Sequence, residues 1–305
     1  MRRIIIDTDT ASDDAVAIIM ALRSEELKVE ALTVVAGNVP LDIAINNALI
    51  SVEAANTYDV PVYAGASKPL NRELETGQFA HGMNGMGDID LPVPNKSVEQ
   101  KDAVDAIIDI VKNNPHEIDI IAIGPLTNIA LAIQKEPETM SKVRSVYLMG
   151  GNGFGEGNMT AYAEFNFYVD AEAVKIVSDF YTDIVQLPWN TCVTGVDFDQ
   201  KDIDSILEIG TDLSTFVIEI NNSLVEFNHK LGKESGFILA DPGIIALLID
   251  DDISIEYEYA NLDVVTEENE KYGMQYQVKG AKNNYKVCKK MDKKKFIKLM
   301  IKLIS

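Results

Sequence analysis

Asp7, Asp9, Asp13 and Asp14 fall within eight residues, in the run Asp7-Thr8-Asp9-Thr10-Ala11-Ser12-Asp13-Asp14. A helix needs one aspartate as a cap, and Asp13 or Asp14 could serve the helical pattern that begins there. Four carboxylates so close repel one another by energies on the order of a few kcal/mol in a partly dry site. Protonation or a cation relieves that repulsion. The donors are all oxygen, with no cysteine and no paired histidine among them, which points to a hard ion, Ca2+ or Mg2+. The run is not an EF-hand loop: its sixth position is Ser12 rather than glycine, and no glutamate falls at the twelfth.

The elements that must position these carboxylates follow from hydrophobic patterning. Short β-rich runs at 3–6, 29–35, 60–63, 118–123, 143–149 and 184–187 alternate with helical runs at 13–23, 41–58, 98–113, 125–134, 171–180, 212–227 and 242–249. The strands are nearly continuous apolar runs, as in a parallel sheet covered on both faces. The pattern predicts an α/β fold with an open, mainly parallel, Rossmann-like sheet flanked by helices. Pro125 and Pro242 suit first-turn helix positions. The tail predicts strands at 253–259, 274–278 and 285–287, then a basic helix from 292. With no linker, repeat or low-complexity stretch, residues 1–305 read as a single domain.

In such a sheet, ligands bind at the carboxyl ends of the strands. The residues after each expected strand are polar: the aspartate run, then Asn38, then Thr127-Asn128, then a loop with Asn158, Glu164 and Asn166, then Trp189-Asn190. Asp241 stands at the start of the helical run at 242–249. Met149 ends an apolar strand and could be plain core, and Asn38 after Gly37 could be a turn residue. Trp189, the sole tryptophan, lies just past a strand end, where it could stack on a ring. The long segments 65–94 and 150–168 are the exceptions to short connections, and such loops are often functional.

Composition narrows the classes. The chain has 305 residues, 47% hydrophobic and 25% charged, with a formal net charge of −21. Eight of its lysines follow residue 285, so the remainder is more acidic still. So acidic a body argues against nucleic-acid binding. No stretch approaches the roughly 18 to 20 apolar residues of a membrane span, and the three isoleucines after Arg3 are too short a run for a signal peptide. Cys192 and Cys288 lack metal-type spacing and read as free thiols in a reducing, cytoplasmic setting.

The runs "IIIDTDTASDDAVAI", "VVAGN", "IGPLTNIALA", "LMGG", "GN" followed by "AEFN", and "DPG" before a helix occur in this order. Together they resemble the inosine–uridine-type nucleoside hydrolases over most of the chain. The resemblance implies the nucleoside hydrolase fold, a bound Ca2+, a homodimer or homotetramer, and ribonucleosides as substrates. It implies that Asp9, Asp14, Asp241 and the carbonyl of Ile123 bind the metal, and that Asp9 is the general base. It implies that Asp13 and Asn166 hold the 2′- and 3′-hydroxyls with Asn38 beside them. Asn158 and Glu164 would hold the 5′-hydroxyl, and Met149 would pack under the sugar. Glu164 and Asn166, two apart, would face one ligand if the segment were extended. Asp7 reads as support for the loop.

The chain departs from the family at Ala240, where many members carry a histidine that protonates the leaving base. Two histidines are candidates to replace it: His229, at the end of the helical run at 212–227, and His81, in "HGMNGMG". His116 falls at the amino end of a strand, away from the expected pocket. Two other readings are a Ca2+-dependent riboside-binding protein with little turnover and a haloacid-dehalogenase-like phosphatase with Asp7 as nucleophile. The phosphatase reading lacks the later glycine-led acidic pair that such enzymes need.

Overall fold

The first strand reads Arg-Arg-Ile-Ile-Ile-Asp-Thr, and its three isoleucines alternate between the two faces of a sheet. Ile4 and Ile6 join one buried cluster and Ile5 the other, so the strand is covered on both sides. The computed structural model describes residues 1–230, 236–280 and 282–305. In chain order its strands are β1 (Arg2–Thr8), β2 (Leu27–Val34), β3 (Val62–Ala64), β4 (Ile118–Ala122), β5 (Ser145–Met149), β6 (Ile184–Leu187), β7 (Asp197–Phe198), β8 (Phe237–Ile238), β9 (Ser254–Ala260), β10 (Leu262–Val264), β11 (Gln275–Gln277) and β12 (Tyr285–Met291). Eight of them form one sheet in the order β3-β2-β1-β4-β5-β6-β12-β9. Every neighbouring pair is parallel except β12 and β9, which are antiparallel. The mainly parallel, doubly wound sheet is therefore as the pattern predicts.

Strand order reverses between β1 and β4, and the carboxyl ends of these two strands border the crevice where such sheets bind ligands. Helices Ser12–Arg23, Leu41–Ala55, Ala240–Ile249 and Lys293–Ile304 cover one face, and Ala103–Asn113, Thr127–Lys135 and Ala171–Phe180 cover the other. At the opposite, amino end of β4, Asp119 is fully buried between the guanidinium groups of Arg2 and Arg144. Among the described residues, no helix is long and apolar enough to cross a membrane.

Several expected boundaries move. The helix expected at 98–113 starts at Ala103, because the Asp102 carboxylate accepts the Val104 N–H at 2.8 Å and caps it there. The helix after β4 starts at Thr127, so Pro125 precedes it, whereas Pro242 does sit in a first turn. The run at 212–227 divides into helices Asp212–Glu219 and Asn222–Lys230. At the break the Asn221 amide donates back to the Val217 carbonyl at 2.8 Å, and Gly87 packs against the carbonyls of Glu219 and Ile220. The strand expected at 274–278 is β11, which pairs with β10 and not with the main sheet. The basic helix begins one residue after Asp292, which caps it.

Candidate active site

A cavity of about 390 Å³ opens over the β1–β4 switch. Its acidic floor is formed by Asp13, in the first turn of helix Ser12–Arg23, and Asp241, in helix Ala240–Ile249, while Asp9 and Asp14 are buried and do not line it. Asp13, Asp14 and Asp241 each bring a carboxylate oxygen within 4.8 Å of the others, and all three are buried. Asp14 is oriented by the Thr8 hydroxyl at 2.7 Å and the Ala11 N–H at 2.9 Å, both donating to its carboxylate. Asp9 is fully buried beside them: its Oδ2 accepts the Asn38 N–H at 2.6 Å, and its Oδ1 has no partner. Gly37 and Gly124 allow this approach, since a Cβ on Gly37 would lie 2.1 Å from Asp9 Oδ2 and one on Gly124 would lie 2.9 Å from Oδ1.

Burial pushes every one of these carboxyls upward. Asp13 and Asp14 reach about 6, chiefly by desolvation. Asp9 and Asp241 rise well above the usual range through desolvation and the charges of their neighbours. Asp119, the buried carboxylate at the far end of β4, has two arginines as ion-pair partners. For the cavity carboxylates, the one basic group within ion-pair distance among the described residues is His81, whose Nδ1 lies 3.9 Å from Asp13 Oδ1. Crowded oxygen donors, with Asp9 Oδ1 and Asp13 Oδ1 lacking any hydrogen bond, fit a hard divalent cation.

Asp7 plays another part. It is fully buried and accepts from the Thr33 hydroxyl at 2.5 Å and the Asn128 amide at 2.9 Å. It ties β1 to β2 and to helix Thr127–Lys135; like Asp9 and Asp14 it is not among the residues that line the cavity.

Asn38, Ile123, Met149, Asn158, Glu164, Asn166 and Trp189 all line the cavity with Asp13 and Asp241. The segment carrying Glu164 and Asn166 is not extended as expected, for helix Phe165–Val169 starts there and Glu164 is its N-cap. The Glu164 carboxylate accepts the N–H groups of Gly151 at 2.7 Å, Asn166 at 3.0 Å and Phe167 at 3.3 Å. Burial still pushes it up to about 7. Asn166 donates through Nδ2 to the carbonyls of Ile123 at 3.1 Å and Met149 at 3.2 Å, strapping the ends of β4 and β5 together. Asn158 Oδ1 accepts the Phe165 N–H at 2.8 Å.

Another part of the lining is apolar. Trp189, Phe79, Phe227, Leu224 and Ile238 line it, and the Phe79 and Phe227 rings meet with centroids 5.5 Å apart. Sequence reading missed Phe79 and Phe227, because a lone aromatic on a loop or a helix face carries no periodic signal. Ala240 lies in the wall, as the departure from the family required. His81 reaches the cavity on helix Gln78–His81, and burial lowers its imidazole to about 4. His229 does not reach it: Leu224, Phe227 and Asn228 face inward at helical spacing, which turns the exposed His229 away. His116 lies before β4, at the far end of the sheet.

The family described as inosine-uridine preferring nucleoside hydrolase matches residues 4–298. Uridine nucleosidase 1 of Arabidopsis thaliana is 39% identical over 212 residues, 68% of this chain and 61%, less than two thirds, of its own length. The pyrimidine-specific ribonucleoside hydrolase RihA of Salmonella arizonae is 35% identical over 309 residues, 97% of this chain and 96% of its own. Among solved structures, a plant nucleoside hydrolase superposes with a TM-score of 0.93 at 28% identity, covering 99% of this chain and 98% of that one.

Proposed function

The chain belongs to the inosine-uridine preferring nucleoside hydrolase family, and from that premise we propose that it hydrolyses the N-glycosidic bond of ribonucleosides to ribose and free base. One observation carries the proposal beyond membership: buried carboxylates, Asp13 and Asp241, and aromatic side chains, Phe79, Trp189 and Phe227, line one cavity. A ribose presents hydroxyls to the former and a base presents a ring face to the latter.

Asp9, Asp14 and Asp241, with the carbonyl of Ile123, would hold Ca2+, whose preference for six to eight oxygens suits this donor set. When bound, such an ion lowers the pKa of water and offsets the carboxylate charge. Asp9, through its free Oδ1, accepts the proton of the attacking water. Asp13, Asn38 and Asn166 bind the 2′- and 3′-hydroxyls, and Asn158 and Glu164 the 5′-hydroxyl. Met149 packs under the sugar. Negative charge on the acidic floor favours the oxocarbenium-like transition state. Trp189 and the two phenylalanines stack on the base and exclude water from it. His81, which lines the cavity, is the histidine that would face the leaving group.

Residues 1–305 are read as a single domain, supported by β12 lying inside the main sheet rather than in a separate unit. A cytoplasmic setting is supported by two buried free cysteines. A homodimer or homotetramer is carried from the family resemblance, and sedimentation tests it.

The test of function is a panel of inosine, uridine, cytidine, adenosine, guanosine and nicotinamide riboside assayed for free ribose, with EGTA and with Ca2+ restored. Release that disappears with EGTA and returns with Ca2+ supports the reading. Calorimetric binding of ribosides with no ribose released would instead establish the binding-protein alternative.

A further inference from the structure

His81 is held by a residue that lies inside the acidic motif and is not itself acidic. Ser12 is fully buried, and its hydroxyl lies 2.9 Å from His81 Nδ1. That ring nitrogen is its one hydrogen-bond partner among the described residues. If Nδ1 carried the proton, the Ser12 O–H would be a buried donor without an acceptor, which native structures avoid. Asp13 Oδ1, at 3.9 Å from Nδ1, is too far to accept a hydrogen bond and supply the alternative. With the Ser12 hydroxyl donating and Nδ1 accepting, the proton of the neutral ring sits on Nε2. Nε2 has no partner among the described residues, and His81 lines the cavity.

The backbone around His81 is held as firmly. Met86 is fully buried, and the Asn47 amide donates to the carbonyls of Thr10 at 3.0 Å and Asn84 at 2.9 Å. The turn that follows His81 is thus tied to the residues that precede Ser12 through a third residue.

We infer that Ser12 is a positioning residue which fixes His81 in the Nε2–H tautomer and so presents a hydrogen-bond donor to the departing base. The inference rests on the nucleoside hydrolase reading. As the glycosidic bond breaks, its electron pair leaves on the base, and Nε2–H donates to a ring nitrogen or carbonyl oxygen that gains charge. Ala240 offers no donor, so this one matters more than it would beside a second histidine.

Two readouts test it. With three histidines in the chain, ring 15N NMR of the metal-loaded protein, assigned with His81→Ala, should show Nδ1 of His81 unprotonated and Nε2 protonated. Ser12→Ala should lose that fixed pattern, and Ser12→Thr should keep it. The opposite tautomer in the wild type overturns the inference whatever the activity. In kinetics, Ser12→Ala should lower kcat on uridine or inosine by ~10-fold to 10²-fold. It should leave p-nitrophenyl riboside, whose leaving group needs no help, within about threefold, and Ser12→Thr should restore the natural substrate. Adding Ser12→Ala to His81→Ala should cost nothing further. Equal slowing of both substrates would mean that Ser12 acts through its aspartate neighbours, and no slowing of either would remove its role; each overturns the inference. A wild type with the expected tautomer that cleaves no riboside would overturn the hydrolase reading, and with it the role toward the base.

Discussion

Asp9 and Asn38 are joined by a 2.6 Å hydrogen bond in which the Asn38 N–H donates to Asp9 Oδ2, leaving Asp9 Oδ1 buried and without a partner. The turn after β2 thus fixes one oxygen of a carboxylate that comes from the loop after β1, and frees the other. This is the arrangement a general base needs: an oriented group with one open lone-pair site.

Asp9→Asn should lower kcat by ~10² to 10⁴ or more, since the amide cannot take a proton and binds cations poorly. Asn158→Ala, at an exposed position, should act mainly on KM. Steady-state ribose release with metal content measured on each variant checks this. Similar residual kcat in the two would show that Asp9 is not the base.

Gly37→Ala tests the same arrangement from the other side. Its Cβ would sit 2.1 Å from Asp9 Oδ2 and 2.8 Å from Pro125 Cδ, so Asp9 must move. Overpacking of this kind costs about 1–3 kcal/mol. The variant should fold, melt lower and lose most turnover. A variant with wild-type kcat would mean that the Asp9 position is not critical.

Stability without metal should fall as pH rises. Asp7 and Glu164 are pushed up to about 7, and Asp13 and Asp14 to about 6, in each case chiefly by burial. A carboxyl whose pKa is raised by folding stabilises the folded state below its unfolded value, near ~4. That contribution is lost as pH climbs through the folded values of about 6 to 7. The chelated protein should therefore melt lower at about pH 8 than at about pH 5, and restored Ca2+ should help most at the alkaline end. Melting curves with EGTA and with Ca2+ across this range decide it, and a chelated Tm that rises with pH contradicts it.

The two candidate histidines should separate cleanly. His229→Ala removes an exposed side chain turned away from the cavity, so kcat on inosine and uridine should stay within about twofold. His81→Ala removes a cavity group and should lower kcat by ~10² on the same substrates. A large loss from His229→Ala would mean that helix Asn222–Lys230 turns that ring inward when substrate binds.

What the sequence determined by itself was the sheet and most of the polar floor. Apolar runs of strand length, separated by helical runs, dictate parallel strands, and parallel strands put all their carboxyl ends on one edge. Any polar residue just past a strand is then near the others, whatever the details of packing. The nearness of Asp9, Asp14 and Asn38 to one another was legible for that reason, whereas Ile123 and Met149 were assigned to the site only through the family resemblance. Tertiary structure decided what depends on angles between elements rather than on position along one. The break at Asn221 sets which face of helix Asn222–Lys230 looks inward, and so brings Phe227 to the cavity and turns His229 away. Glu164 caps a helix instead of lying in an extended segment because the N–H groups of Gly151, Asn166 and Phe167 converge on its carboxylate. The meeting of Ser12 with His81 joins residues 69 apart in the chain. No local pattern encodes such a contact, because it exists only once the segment after β3 has packed against the start of helix Ser12–Arg23.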